Sequence, residues 1–262
     1  MSLLIRSLNT SIGSKFTVGL TGLALVGFVL VHMSGNLLIF AGQDALNSYA
    51  QKLKSLGGLL WVARAGLLAV FALHLFMTIK LTMANRAART ARYAYEGTLQ
   101  ASWASRHMWL TGLVLLTFVV YHLAHFTLGL THAADVQITR SGEAVVSKNY
   151  LDLTEMKESG KSYLPAPSEN LSKHGHSDEY RHDVYSMVVS GFRVPAISVF
   201  YIIAMGCLAL HLWHGASSMF QSLGANSASW KKFIAYVGPV IAVIVLVGNC
   251  SIPLAVLIGW IK

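Results

Sequence analysis

Charge is scarce in this chain. Only 12% of its 262 residues are Asp, Glu, Lys or Arg, while 54% are hydrophobic. Mean hydropathy is +0.54. Such a chain is too apolar for an ordinary soluble domain. Carboxylates are the scarcest group, with 11 Asp and Glu against 20 Lys and Arg, and none of them lies inside a long apolar stretch. Paired-carboxylate chemistry within those stretches is therefore excluded. There are two cysteines, Cys207 and Cys250, both in apolar surroundings. They read as packing residues rather than a disulfide. A Gly-rich phosphate loop, a nucleophile triad and a low-complexity tract are all missing, and no internal repeat stands out.

Long apolar runs dominate what is present. A membrane-spanning helix needs about 20 largely apolar residues. Five stretches meet that length: Phe16–Ala41, Gly58–Met83, Met108–Leu130, Val194–Phe220 and Phe233–Ile261. Lipid offers no hydrogen bonds to exposed peptide groups, so helices are expected in all five. The first stretch exceeds the apolar core of a signal peptide and carries a histidine, so it reads as a retained spanning helix. The expected fold is an all-α membrane protein of five transmembrane helices, a single domain over residues 1–262.

The net charge of +9 does not point to nucleic acid, because of where the charges fall. Arg6 and Lys15 precede or open the first stretch. Lys80, Arg86, Arg89, Arg92 and Arg106 surround the second connection, with Glu96 as the one acid there. Lys231 and Lys232 sit in the fourth. If five helices alternate, these basic residues share one side, which the positive-inside rule makes cytoplasmic. The N-terminus is then cytoplasmic and the C-terminus outside. Residues 42–57 read as a short outer loop. Residues 84–107 read as an inner, partly helical, interfacial segment able to meet lipid or an acidic partner. Between Thr131 and Arg193 stand seven basic and nine acidic residues. Residues 131–192 therefore form an extramembrane outer loop, expected to be a cap with short helices at most. Its His174, His176 and His182 read as solvated loop residues.

Four histidines, His32, His74, His122 and His211, occupy the first four apolar stretches. Ionisable side chains at that depth are rare and mark function. Depth follows from the rise of about 1.5 Å per residue. His32 and His122 fall roughly 20–24 Å from the cytoplasmic edge, and His74 and His211 roughly 13–14 Å. Two pairs at two depths fit two bis-histidine haems, an outer one on His32 and His122 and an inner one on His74 and His211. The first four helices then form a dihaem core. His125 and His214 follow His122 and His211 by three residues on roughly the same face and compete for the assignment. Each fits the depth match slightly less well.

The segments SIGSKFTVGLTG, VHMSGNLLIF, FALHLFMTIKL, VVYHLAHFTLG, VYSMVVSGFRVP and HLWHGASSMFQSLG carry a resemblance over nearly the whole chain. It resembles the five-helix dihaem cytochrome b subunit of succinate:quinone oxidoreductase, the cytochrome b558 family of succinate dehydrogenase and fumarate reductase. The resemblance implies the same ligands, His32 with His122 and His74 with His211, holding two haem b groups. It implies a membrane anchor in the bacterial cytoplasmic membrane that docks a flavoprotein and an iron–sulfur subunit. The succinate site would be on the flavoprotein, with no catalytic residue in this chain, and the electron acceptor would be a quinone, by family habit menaquinone. Some members carry a glutamate two residues before the fourth-helix ligand. Ala209 stands there, which argues against a carboxylate proton path. The outer loop is also longer than in many members.

Further site candidates follow from position. Arg193 at the outer end of helix four suits a propionate of the outer haem, and Lys15 and Arg106 at inner ends suit the inner haem. Ser11, Ser14 and Lys15 offer donors for a quinone carbonyl at the inner face. A rival reading is the dihaem anchor of a hydrogenase or nitrate reductase, but those draw two ligands from one helix. A transporter would need broken helices, a polar cavity or a repeat, and none of these signs stands out in the sequence.

Overall fold

Apolar helices must satisfy their own peptide groups, and polar side chains within them must find partners on a neighbouring helix or on their own backbone. The computed structural model follows both rules. It describes residues 10–89, 102–128, 130, 136–140, 143–147, 184–225 and 227–262. Five helices are long and apolar enough to cross a membrane. They are α1 (Ser11–Asn36, prolonged by a 3-10 turn over Leu37–Ala41), α3 (Gly58–Ala87), α5 (Met108–His122, prolonged by a π-turn over Leu123–Thr127), α7 (Pro195–Ser222) and α8 (Ala228–Leu257). Shorter helices are α2 (Gln43–Lys54), α4 (Trp103–Arg106) and α6 (Val184–Phe192). The chain is thus a multi-pass membrane protein by helix length and composition, with α1, α3 and α8 reaching beyond the apolar stretches at one or both ends.

Two expectations need correction. Residues 42–57 are not a simple loop. Gly42, at φ 102, breaks the chain after the 3-10 turn, and α2 follows with Asp44 in its first turn and Lys52 and Lys54 in its last. Those charges complement the helix dipole. The outer segment is not limited to short helices either. Val136–Arg140 (β1) pairs antiparallel with Glu143–Ser147 (β2), Arg140 opposite Glu143. The fold is otherwise helical among the described residues. The three loop histidines, Arg6, Arg92 and Glu96 lie outside them.

The chain divides into two compact units. The first comprises Met1–Met33, Gly58–Leu115 and Met205–Val247. Its buried core joins Val26 of α1, Ala209, Leu212, Ala216 and Met219 of α7, and Ala242 and Val245 of α8. On α3, Leu59, Trp61, Val62, Leu68, Phe76 and Met83 are 62–68% exposed, the surface expected of a lipid-facing helix. Arg86 lies over the Trp109 ring at 5.9 Å, and Trp103, Trp109 and Trp230 are all exposed near helix ends, as interfacial tryptophans are.

One contact in this unit binds α7 to α8 through the backbone. The Gly238 amide donates to the Ser217 hydroxyl at 3.1 Å, and that hydroxyl donates to the carbonyl of Ile234, four residues earlier on α8, at 2.8 Å. Ser217 thus bridges two backbone groups of α8 one residue before Pro239, which has no amide proton to give. Gly238 permits the approach. A Cβ there would collide with the Trp213 carbonyl and lie 2.6 Å from the Ser217 oxygen.

The second unit comprises Ser34–Gly57, Leu116–Ala204 and Gly248–Lys262. Here α2 lies against the end of α1, with the Tyr49 ring where a Cβ on Gly35 would be 2.6 Å away. Buried Asn47 accepts from the Tyr185 amide at 3.0 Å, which secures the start of α6. The Ser198 hydroxyl donates to the Phe192 carbonyl at 2.6 Å across the α6–α7 junction, where Pro195 opens α7. Cys207 and Cys250 are free thiols.

Ser217→Ala should remove both bridging bonds and Gly238→Ala should force α7 and α8 apart. Each is expected to cost roughly 1–3 kcal/mol. A lower melting temperature of the detergent-purified protein for both variants is the check.

Candidate functional site

In the first unit His74 stands on α3 and His211 on α7, both half-buried. Each meets a threonine from another helix. The Thr21 hydroxyl of α1 lies 2.9 Å from Nδ1 of His74, and the Thr111 hydroxyl of α5 lies 3.1 Å from Nδ1 of His211. A glycine follows each threonine. A Cβ on Gly22 would sit 3.5 Å from Cε1 of His74, and one on Gly112 would sit 3.8 Å from Cε1 of His211. These contacts are ordinary in length, so the glycines keep the ring edges bare rather than avoiding a clash. The two imidazoles belong to one compact unit. His214 also neighbours His211, but its Nε2 is engaged by the Ser218 hydroxyl one turn along the same helix, at 3.0 Å.

The second unit holds His122 and His125. The Tyr201 hydroxyl of α7 bonds Nδ1 of His125 at 2.9 Å and lies 3.4 Å from Nδ1 of His122. His125 is fully buried and stacks on Phe126 at 4.0 Å. Phe118, Tyr121, Phe126, Phe192 and Phe200 surround the Tyr201 ring. The π-turn begins immediately after His122, with the Leu128 amide reaching the Leu123 carbonyl at 2.8 Å. His125 therefore behaves as a packed core residue, and His122 is the more accessible ring. His32 belongs to the first unit, is exposed and stacks on Phe28 at 5.3 Å.

The remaining candidates separate by exposure. Lys15, Arg106, Arg193 and Ser11 are exposed, whereas Ser14 is buried in the first turns of α1. Thr10 caps that helix, its hydroxyl accepting from the Gly13 amide at 3.0 Å. Among the described residues no cluster of three or more His, Cys, Asp or Glu could hold a bare metal ion. A porphyrin-held iron needs only two protein ligands, and neutral imidazoles of fixed tautomer are the appropriate donors.

The threonines expose a sequence signal that composition and hydropathy hid. Residues 20–32 read LTGLALVGFVLVH and residues 110–122 read LTGLVLLTFVVYH. Both begin with Leu-Thr-Gly-Leu, share Phe-Val and end in the histidine eleven residues after the threonine. Residues 72–76 and 209–213 then read ALHLF and ALHLW. Contrary to the expectation of no repeat, α1 with α3 and α5 with α7 are two copies of one helix pair. In this alignment His32 corresponds to His122 and His74 to His211. His125 corresponds to Gly35 and His214 to Met77.

Comparison of the chain with protein-family models, curated proteins and solved structures finds no match.

Tyr201→Phe should destabilise the second unit by roughly 1–3 kcal/mol, because the buried His125 imidazole loses its phenol partner. Thermal unfolding of the purified variant measures the loss, and a wild-type melting temperature would disprove the contribution.

Proposed function

We propose that this chain is a dihaem cytochrome b, the membrane anchor and electron-transfer subunit of a succinate:quinone oxidoreductase. The observation that carries the dihaem reading is the repeat. It equates the two histidines of each depth pair, and it sets His74 and His211 in one unit, each oriented through Nδ1 by a threonine. Parallel repeats are related by an axis along the membrane normal, so equivalent residues share a depth. Thr21 and His32 are eleven residues apart on α1. That spacing is close to three full turns, so they share a face about 16 Å apart along the axis. The two layers of ligands are thus separated across the membrane.

His74 and His211 would hold the inner haem, and His32 and His122 the outer one. Bound haem supplies one-electron exchange at iron. The chain's own residues provide neutral nitrogen donors, orient them, and exclude water by burial. Arg193, Lys15 and Arg106, all exposed cations at helix ends, would pair with propionates. The basic inner surface at residues 84–107 would dock an iron–sulfur subunit joined to a flavoprotein that oxidises succinate. The acceptor is a quinone, and menaquinone is the expected one. The enzyme assignment, the partners and a bacterial cytoplasmic membrane with the N-terminus inside all rest on the family resemblance.

The purified protein should show the reduced-minus-oxidised bands of b-type haem, two per chain. His74→Ala and His211→Ala should lose or alter the same haem, while His32→Ala and His122→Ala affect the other. Full haem content with an unchanged spectrum in His211→Ala would move that ligand to His214.

Quinone is assigned to the inner face near Ser11, Ser14 and Lys15. Paired Ser14→Ala and Lys15→Ala replacement in the assembled complex should depress quinone reduction several-fold and spare succinate oxidation by a soluble dye. Normal rates in both assays would place quinone elsewhere.

A further inference from the structure

Each threonine beside a histidine has a single hydroxyl proton, and its direction decides the state of the ring. The Thr21 hydroxyl donates to the Thr17 carbonyl at 2.8 Å, with the Val18 carbonyl at 3.2 Å. The Thr111 hydroxyl donates to the Met108 carbonyl at 3.0 Å, with the His107 carbonyl at 3.4 Å. Those oxygens are acceptors only, and a threonine proton given to its own helix leaves a lone pair facing the imidazole. Nδ1 of His74 and of His211 then carries the hydrogen. A neutral ring with Nδ1–H has its lone pair on Nε2.

We infer that Thr21 and Thr111 are positioning residues that lock His74 and His211 as Nδ1–H tautomers and present both Nε2 lone pairs to one iron. The inference rests on the dihaem reading above. The two threonines occupy equivalent positions in the repeat, so the device occurs twice around one site. A ligand imidazole that donates through its other nitrogen is oriented and made more basic. More basic ligands favour ferric over ferrous iron.

The test uses the full-length purified chain with Thr21→Val, Thr111→Val and the corresponding serine variants. The readouts are haem content, potentiometric titration of each haem and low-temperature paramagnetic resonance of the ferric state. Both valine variants should raise the midpoint of the same haem and leave the other unchanged. A tenfold loss of preference for the ferric state corresponds to about 59 mV for one electron. Serine keeps the hydroxyl and should restore wild-type behaviour. Where a valine variant loses that haem altogether, its serine counterpart must regain both the haem and its potential. Wild-type potentials and resonance signals in both valine variants, or serine variants as impaired as valine ones, would overturn the inference. Absence of haem from the wild-type chain would instead overturn the cytochrome reading, so the two failures are distinct.

Discussion

Every polar group in a chain this apolar has to find its partner within the chain, and that constraint shapes the structure at each level. It makes the spanning segments helical. It draws Ser217 of α7 against α8, where its hydroxyl bridges the Gly238 amide and the Ile234 carbonyl. It ties threonine hydroxyls to their own carbonyls and so leaves them able only to accept from a histidine. Tyr201, between His125 and His122, obeys the same rule in the second unit. The polar contacts beside the histidines are thus extensions of the contacts that hold the helices together.

Much of this was legible in the sequence, because hydropathy over 20 residues is a strong signal and imidazole in an apolar run is a rare one. The five helices and a histidine in each of the first four of them follow from those two facts, although His32 proves exposed while His74, His122 and His211 are half-buried. The second sphere was harder to see. Thr21 and Thr111 look like ordinary small polar residues of membrane helices until they are aligned with each other, and the period of that repeat spans an intervening helix and loop. The outer elements were missed for a different reason. Composition marked residues 42–57 and 131–192 as polar, which conceals local pattern. Asp44 before Lys52 and Lys54 is a helix-dipole signature. Ser141-Gly142 between VQITR and EAVVS is a hairpin signature. Both were there to be found. Depth and motif already favoured His122 over His125, and the coordinates add that His125 is enclosed by Phe126 and Tyr201.

The architecture divides its labour among the helices. The spanning segments α1 and α5 share the Leu-Thr-Gly-Leu run and a histidine eleven residues after its threonine, and α8 braces α7 through backbone and core contacts. The absence of carboxylates from the spanning helices keeps the interior free of fixed negative charge. The basic residues gather at the ends, where propionates, lipid headgroups and an acidic protein surface would all be accommodated.

The two copies part company just beyond their last shared residue. After His32, α1 continues for one further turn and then tightens into a 3-10 turn over Leu37–Ala41. After His122, α5 loosens at once into a π-turn. A tightened end carries the chain into Gly42 and α2. A loosened end accommodates a residue more than an α-turn and sets His125 and Tyr201 beside His122. His74 and His211 each have a threonine behind the ring, and His32 and His122 each have a phenylalanine stacked on it, Phe28 and Phe118, while His122 also has the Tyr201 phenol beside it. If these rings hold two haems as proposed, the irons would meet unlike surroundings, and a change of helical pitch after a shared run of sequence would give two equivalent ligand positions unequal potentials.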